Sequence, residues 1–189
     1  MPSVAFARWQ NDRTPRLNEV DSHCAVVLAS VPPNPTFLHE NLRGFVLHLS
    51  AYFQGFCRDL YTEWSQIWIA AIPLGFQATA QAQFSAQLAL EKGNPTYENI
   101  NRDFSRFGFV LNLHAASPAG AQLVTDLGHL NEWRNKAAHQ GTKPLGGGVP
   151  ATLTLPIVQG WKASCDAVAT LLDGIMRGEL RRIMGVAPW

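Results

Sequence analysis

The sequence predicts an all-α protein, a bundle of about five to six helices with a long second helix and a Gly/Pro-rich loop before the last one. Two observations carry that expectation. Apolar residues recur at helical spacing over most of the 189 residues, as in helices that bury one face. Between these stretches stand dense breakers: Val31-Pro32-Pro33-Asn34-Pro35, Pro73, Gly93-Asn94-Pro95 and the run from Gly141 to Pro156. Proline inside a helix removes a hydrogen bond and clashes with the preceding turn.

Residues 1–16 carry Pro2 and Pro15 without a clear period and are expected to form a loosely docked N-terminal arm, with Phe6 and Trp9 available to pin it. Leu17, Val20, Cys24, Val27 and Leu28 fit a first helix that ends at the proline cluster. Thr36 is placed to cap the second helix. Its stripe Leu42, Val46, Leu49, Phe53, Phe56, Leu60, Trp64, Ile67 and Ala71 runs without a slip to Pro73. Such a helix is about 35 residues and roughly 50 Å long, with Gly55 as a point where it can kink. The Ala/Gln-rich segment 76–90 favours helix by propensity. Thr96 then opens another, with Ile100, Phe104, Phe107 and Val110 facing inward. Ser117 as cap and Pro118 at the first position start the next helix. After a loop with a short extended piece at 151–155, a last helix runs from Ile157 to about Arg177, and 178–189 form a fraying tail that Trp189 can dock. The expected organisation is thus an arm (1–16), one helical domain (17–177) and a tail (178–189).

Apolar residues make up 47% and charged residues 15% of the chain, and aromatics 10%. Sparse charge and abundant aromatics imply apolar surface covered by a partner, for which a second copy suffices. A net charge of +1 draws no nucleic acid by a global field, so any such attraction must be local. No signal-peptide pattern and no apolar run of membrane-spanning length is present, which points to a cytoplasmic chain without a membrane partner. Cys24, Cys57 and Cys165 are far apart and read as buried thiols rather than zinc ligands. No phosphate-binding loop, H-E-x-x-H, G-x-S-x-G or CxxC pair occurs, and neither metal nor cofactor is expected.

The segment 130–140, LNEWRNKAAHQ, gathers Arg134, Asn135 and His139 late in the helix that bears Leu123, Leu127 and Leu130. At 3.6 residues per turn Asn135 and His139 share a face, and the long Arg134 side chain reaches the same surface. Gly141 and Pro144 are expected to end the helix with His139 in its last turn. Asn and His near a helix end also commonly cap carbonyls, and a basic residue there suits the helix dipole.

Arg134-Asn135-x-x-x-His139 resembles the signature of the HEPN superfamily, many of whose members are metal-independent endoribonucleases acting as toxins, anti-phage effectors or RNA-processing enzymes. The segments LHLSAYFQGFCRDLY (47–61) and LTLPIVQGWKASCDAVATLLD (153–173) resemble the second and closing helices of its RiboL-PSP-like branch, so the likeness covers roughly residues 17–175. One departure is Gln54, where that branch's pattern has an acidic residue. The resemblance implies a HEPN-like bundle, a site assembled across a homodimer interface from Arg134, Asn135 and His139, an RNA substrate, and an antitoxin or defence-system partner. HEPN families also include inactive members, which leaves a second expectation: a helical dimer that holds RNA, a nucleotide or a partner protein without cutting.

The residue types suit RNA cleavage without metal. A base must take the ribose 2′-hydroxyl proton, an acid must protonate the leaving 5′-oxygen, and a cation must offset charge on the phosphorane. Histidine is suited to proton transfer near neutral pH, and arginine gives phosphate a bidentate fork. One chain supplies a single motif histidine, and a twofold dimer supplies two. Lys136, Lys143, Arg102 and Arg106 are candidates for a modest RNA track. Glu132 lies near His139 in angle, His129 points away from it, and His114 stands close to Asn112 in a loop. His23, His39 and His48 fall on early helices as surface or core groups.

Overall fold

The computed structural model describes residues 1–30, 32, 34–139 and 145–185. It is all-α, and no strand forms among the described residues. The helices are α1 (Val4–Arg8), α2 (Thr14–Leu28), α3 (Pro35–Ala70), α4 (Leu74–Ser85), α5 (Ala89–Lys92), α6 (Tyr97–Phe104), α7 (Leu113–Ala116), α8 (Gly120–Ala138) and α9 (Leu155–Met184). No described helix is long and apolar enough to cross a membrane.

The 36-residue α3 is the spine of the bundle. Its stripe from Leu42 through Phe45, Leu49, Phe53, Phe56 and Leu60 to Trp64 is buried, and α2, α8 and α9 all pack on it. The cap is Asn34 rather than Thr36: its side-chain oxygen accepts from Phe37 N at 3.0 Å. Pro35 then takes the first helical position, where no N–H is needed. The helix continues through Gly55, whose missing Cβ leaves room for the Arg13 guanidinium; a Cβ there would lie 3.2 Å from Arg13 Nη2.

The N-terminal arm is not loosely docked. Residues 4–8 are helical, and a π-helical turn, Trp9–Arg13, leads directly into α2. Trp9 is 1% exposed. Its ring packs against Phe53 and Phe56, and its Nε1 donates to Asp166 at 2.9 Å. The first-turn amides of α1 are met from distant helices: Ser3 N donates to Asp173, and Val4 N and Ala5 N donate to the Glu63 carboxylate. Asp59 accepts from both Arg8 and Arg13. Six residues of the arm thus gain partners that local periodicity could not reveal.

Other boundaries also move for identifiable reasons. The expected helix over 76–90 stops at Ser85, and Gln87 takes a positive φ of 50°. Arg106 donates to the carbonyls of Gln83 and Gln87, and the buried Asp103 carboxylate accepts from Ala89 N and Leu90 N. One residue closes a helix end and the other opens a new one. Thr96 caps α6 as expected, accepting from Asn99 N, but Val110 lies beyond that helix and is exposed. Helix α8 starts at Gly120 rather than after Ser117, and its first residue must lack a side chain, because a Cβ there would fall 2.1 Å from the Leu113 carbonyl oxygen. Residues 151–155 form no strand. Helix α9 runs past Gly178 to Met184, since Leu180 is fully buried, and Gly185 at φ 74° terminates it. The expected docking of Trp189 lies outside the described residues. Cys24, Cys57 and Cys165 are buried free thiols, and burial pushes each thiol's pKa up.

Trp9→Ala should therefore cost about 3–5 kcal/mol, the range for deleting a buried aromatic. Denaturant unfolding measures this directly. A loss within experimental error would mean that the arm docks without supporting the core.

Candidate functional site

The end of α8 is fixed on two sides. On one side Trp133 anchors it: Nε1 donates to the Pro150 carbonyl at 2.9 Å, and His39 of α3 meets the ring edge-on at 6.3 Å. Lys136 Nζ lies over the same ring, 4.8 Å from its centroid, close enough for a cation–π attraction. Arg43 of α3 donates to the Ala137 carbonyl at 3.0 Å, satisfying one of the carbonyls a helix end leaves open.

On the other side lies the segment between α5 and α6. Gln54 Nε2 donates to the carbonyls of Leu90 (2.6 Å) and Gly93 (2.8 Å). Asn99 Nδ2 donates to the Asn94 carbonyl, and Asn131 Nδ2 reaches the carbonyls of Leu127 and Pro95. Held in this way, Asn94 donates from Nδ2 to Asn135 Oδ1 at 2.8 Å. Arg134 Nη1 approaches the same oxygen at 3.4 Å, the long limit for such a bond.

Arg134, Asn135 and His139 therefore gather at one end of α8. Arg134 and Asn135 are half-buried and His139 is exposed. His139 is the residue that caps the helix rather than part of its last turn; its N–H donates to the Asn135 carbonyl at 3.0 Å. Gly141 and Pro144, expected to end the helix, lie outside the described residues, and so does Lys143. Lys136 stands at the site. Arg102 falls in the last turn of α6, about 8 Å along its axis from Tyr97, and Arg106 in the 3-10 turn, Ser105–Phe107, that follows it. Arg106 donates to the backbone carbonyls of Gln83 and Gln87.

Glu132 and His129 line a cleft of about 440 Å³ beside Asn135, walled also by Tyr97, Glu98 and Gly146. His114 packs edge-on against Tyr97. Among the described residues no group of three or more His, Cys, Asp or Glu stands together as a metal site.

Sequence reasoning missed Asn94 and Arg43, and read His39 as a surface or core group. Asn94 had one available signal, its place in a Gly-Asn-Pro turn, but nothing local pairs that turn with position 135. Arg43 follows His39 by four residues and so shares its face, which becomes informative only once α3 is known to pack on α8.

No family profile, curated protein or solved structure matches the chain.

The role of Gln54 is directly testable. A carboxylate at this position would face two carbonyl oxygens and could donate only when protonated. In a Gln54→Glu variant the folded-state pKa should thus sit above the unfolded value of about 4.3. The protonated form keeps its bond below that value, and the stability is lost as pH rises through the folded pKa. Near pH 4 a protonated side chain in Q54E can keep only one of the two bonds, and at neutral pH the variant should be destabilised further, by about 1–3 kcal/mol. Equal loss at both pH values would show that the two carbonyl bonds do not govern this position.

Proposed function

We propose that the chain is a HEPN-like, metal-independent endoribonuclease working as a homodimer, with Arg134, Asn135 and His139 as its site. The observation that supports this reading is the placement of the motif: Arg134 and an Asn135 amide held by Asn94 lie in the last turns of α8, and the exposed His139 caps the same helix end. Asn94 fixes the amide of Asn135, which suits an orienting role rather than a loose surface position. Arg134 and Lys136 are close in the chain, with Arg43, itself paired with Glu40, alongside, so local positive charge exists despite the net charge of +1.

In this mechanism the His139 of one protomer removes the proton from the ribose 2′-hydroxyl, and the 2′-oxygen attacks the adjacent phosphorus. The bond from phosphorus to the 5′-oxygen breaks, and His139 of the other protomer protonates the leaving oxygen. Arg134 holds the phosphorane oxygens, where a permanent charge with a forked donor is most effective. The products are a 2′,3′-cyclic phosphate and a 5′-hydroxyl. A toxin or anti-phage role, with an antitoxin or defence-system partner, rests on the resemblance alone.

Purified protein should cut RNA in the presence of EDTA, leave 2′,3′-cyclic phosphate ends, and spare both DNA and RNA carrying 2′-O-methyl at the cut position. His139→Ala should abolish cleavage, and mixed dimers with wild-type chains should be nearly inactive rather than half active. The pH profile should be bell-shaped, since one imidazole must be neutral and the other charged. Arg134→Ala should lose activity by about two orders of magnitude or more with its melting temperature measured alongside. Cleavage at the 2′-O-methyl position, strict dependence on a divalent metal, or an active single-chain species in light scattering overturns the mechanism. Tight RNA binding by a well-folded chain that never cuts favours the non-catalytic dimer.

A further inference from the structure

The surroundings of Asn135 fix which end of its amide carries the donor. The two ends of a side-chain amide are told apart by their neighbours. Arg134 Nη1 stands 3.4 Å from one end, and a guanidinium has donors only, so that end is the oxygen. Asn94 meets the same oxygen with its own Nδ2 at 2.8 Å. A carbonyl oxygen has two lone pairs, and here each has a donor. Asn94 is in turn held by its backbone. Its carbonyl accepts from Thr96 N at 2.8 Å and from Asn99 Nδ2 at 2.9 Å. The carbonyl of Gly93, just before it, accepts from Gln54 Nε2, and a Cβ at Gly93 would come within 2.9 Å of Asn99 Nδ2. Pro95 restricts the backbone on the other side. The Asn94 side chain thus approaches Asn135 from a turn with little freedom to move away.

We infer that Asn94 is a positioning residue: it locks the Asn135 amide so that Nδ2 is the end offered to substrate, as a second donor to the phosphate that Arg134 holds. The inference rests on the ribonuclease reading for the identity of that phosphate. An imidazole acting as base takes a proton at one nitrogen and carries an N–H at the other, and that N–H calls for an acceptor. Asn135 Oδ1 is already engaged twice, so the Asn135 side chain is unsuited to be that acceptor. A phosphodiester needs the opposite, because its charged non-bridging oxygens only accept. Hydrogen bonds to an ionised group are stronger than those between neutral groups. An amide set in advance also needs no reorganisation as charge grows on the phosphorane. Without Asn94 the amide can turn and set its oxygen against the phosphate.

NMR titration of the isotope-labelled full chain tests this without requiring cleavage. The probe is a dinucleotide with a single phosphodiester and a 2′-O-methyl group, which 2′-attack cannot cut. Asn135→Ala identifies the side-chain NH2 signals of Asn135 by their loss, and in wild type those signals should shift as the dinucleotide binds. Asn135→Ala should bind about tenfold or more weakly, as expected for one hydrogen bond to a charged group. Asn94→Ala should also weaken binding, by a smaller factor, but should change nothing further when added to Asn135→Ala. A merely structural role for Asn94 would instead lower affinity alike in both backgrounds. Asn94→Asp keeps the shape and puts an acceptor against Asn135 Oδ1, so the amide should turn and its NH2 signals should no longer follow the dinucleotide. If this pattern holds while RNA is never cut, the positioning role stands and the ribonuclease reading falls. No binding by wild type, NH2 signals that stay still as the complex forms, or equal losses from Asn94→Ala in both backgrounds overturns the inference even in a protein that cuts RNA. Unchanged binding by Asn94→Ala, or NH2 signals in Asn94→Asp that follow the dinucleotide as in wild type, overturns it as well.

Discussion

The burial of one long helix constrains everything else in the chain. Leu42, Phe45, Leu49, Phe53, Phe56, Leu60 and Trp64 of α3 are each 1% exposed or less, and α1, α2, α8 and α9 all pack on the helix that bears them. The covering must come from several elements, some without a strong apolar face of their own. The polar residues flanking the stripe then act as fasteners. Asp59 and Glu63 receive the arm through guanidinium and backbone N–H groups. Gln54 receives the segment between α5 and α6 through two carbonyls. Each fastener matches its partner in sign: carboxylates meet donors, and the amide hydrogens meet acceptors.

That matching explains why the site is organised far from the residues that compose it. Asn135 has no control over its own amide orientation; Asn94 supplies it, and Asn94 is held through Asn99 and the carbonyls that Gln54 grips. A chain of satisfied, partly buried hydrogen bonds is stiffer than the same groups in water, because releasing any one of them leaves an unpaired polar group. Position 54 also makes a different sense here than the acidic residue of the resembling pattern would. In this chain the position faces acceptors, so an amide belongs there, and its contribution to any chemistry is made through the backbone of residues 90–93.

The spine was legible in the sequence because its signal is redundant: a stripe repeated over many turns survives any single exception. So was the cap at Thr96, since a hydroxyl bonding an amide three residues on is a local event. What could not be read depends on partners distant in the chain. Trp9 is separated from Asp166 by 157 positions, and the helix break at Gln87 is made by Asp103 and Arg106 rather than by a Gly or Pro. The start of α8 at Gly120 follows from contact with the Leu113 carbonyl. For the site, the spacing of Arg134, Asn135 and His139 was visible, whereas Asn94 and Arg43, which fix its geometry, were not. Arg106 looked like Lys136 by charge alone, whereas in the fold it donates to the carbonyls of Gln83 and Gln87.

A nearly neutral chain can still orient a nucleic acid if its charges are partitioned. The end of α8 carries Arg134 and Lys136 with Arg43 alongside, while the adjoining cleft carries Glu98 and Glu132. A nucleotide has the complementary division, with an anionic phosphate and a base edge that can be rich in donors. A phosphate is therefore favoured beside the cations and disfavoured beside the carboxylates. Under the ribonuclease reading, register on the RNA thus follows from local sign alternation, and net charge has no part in it.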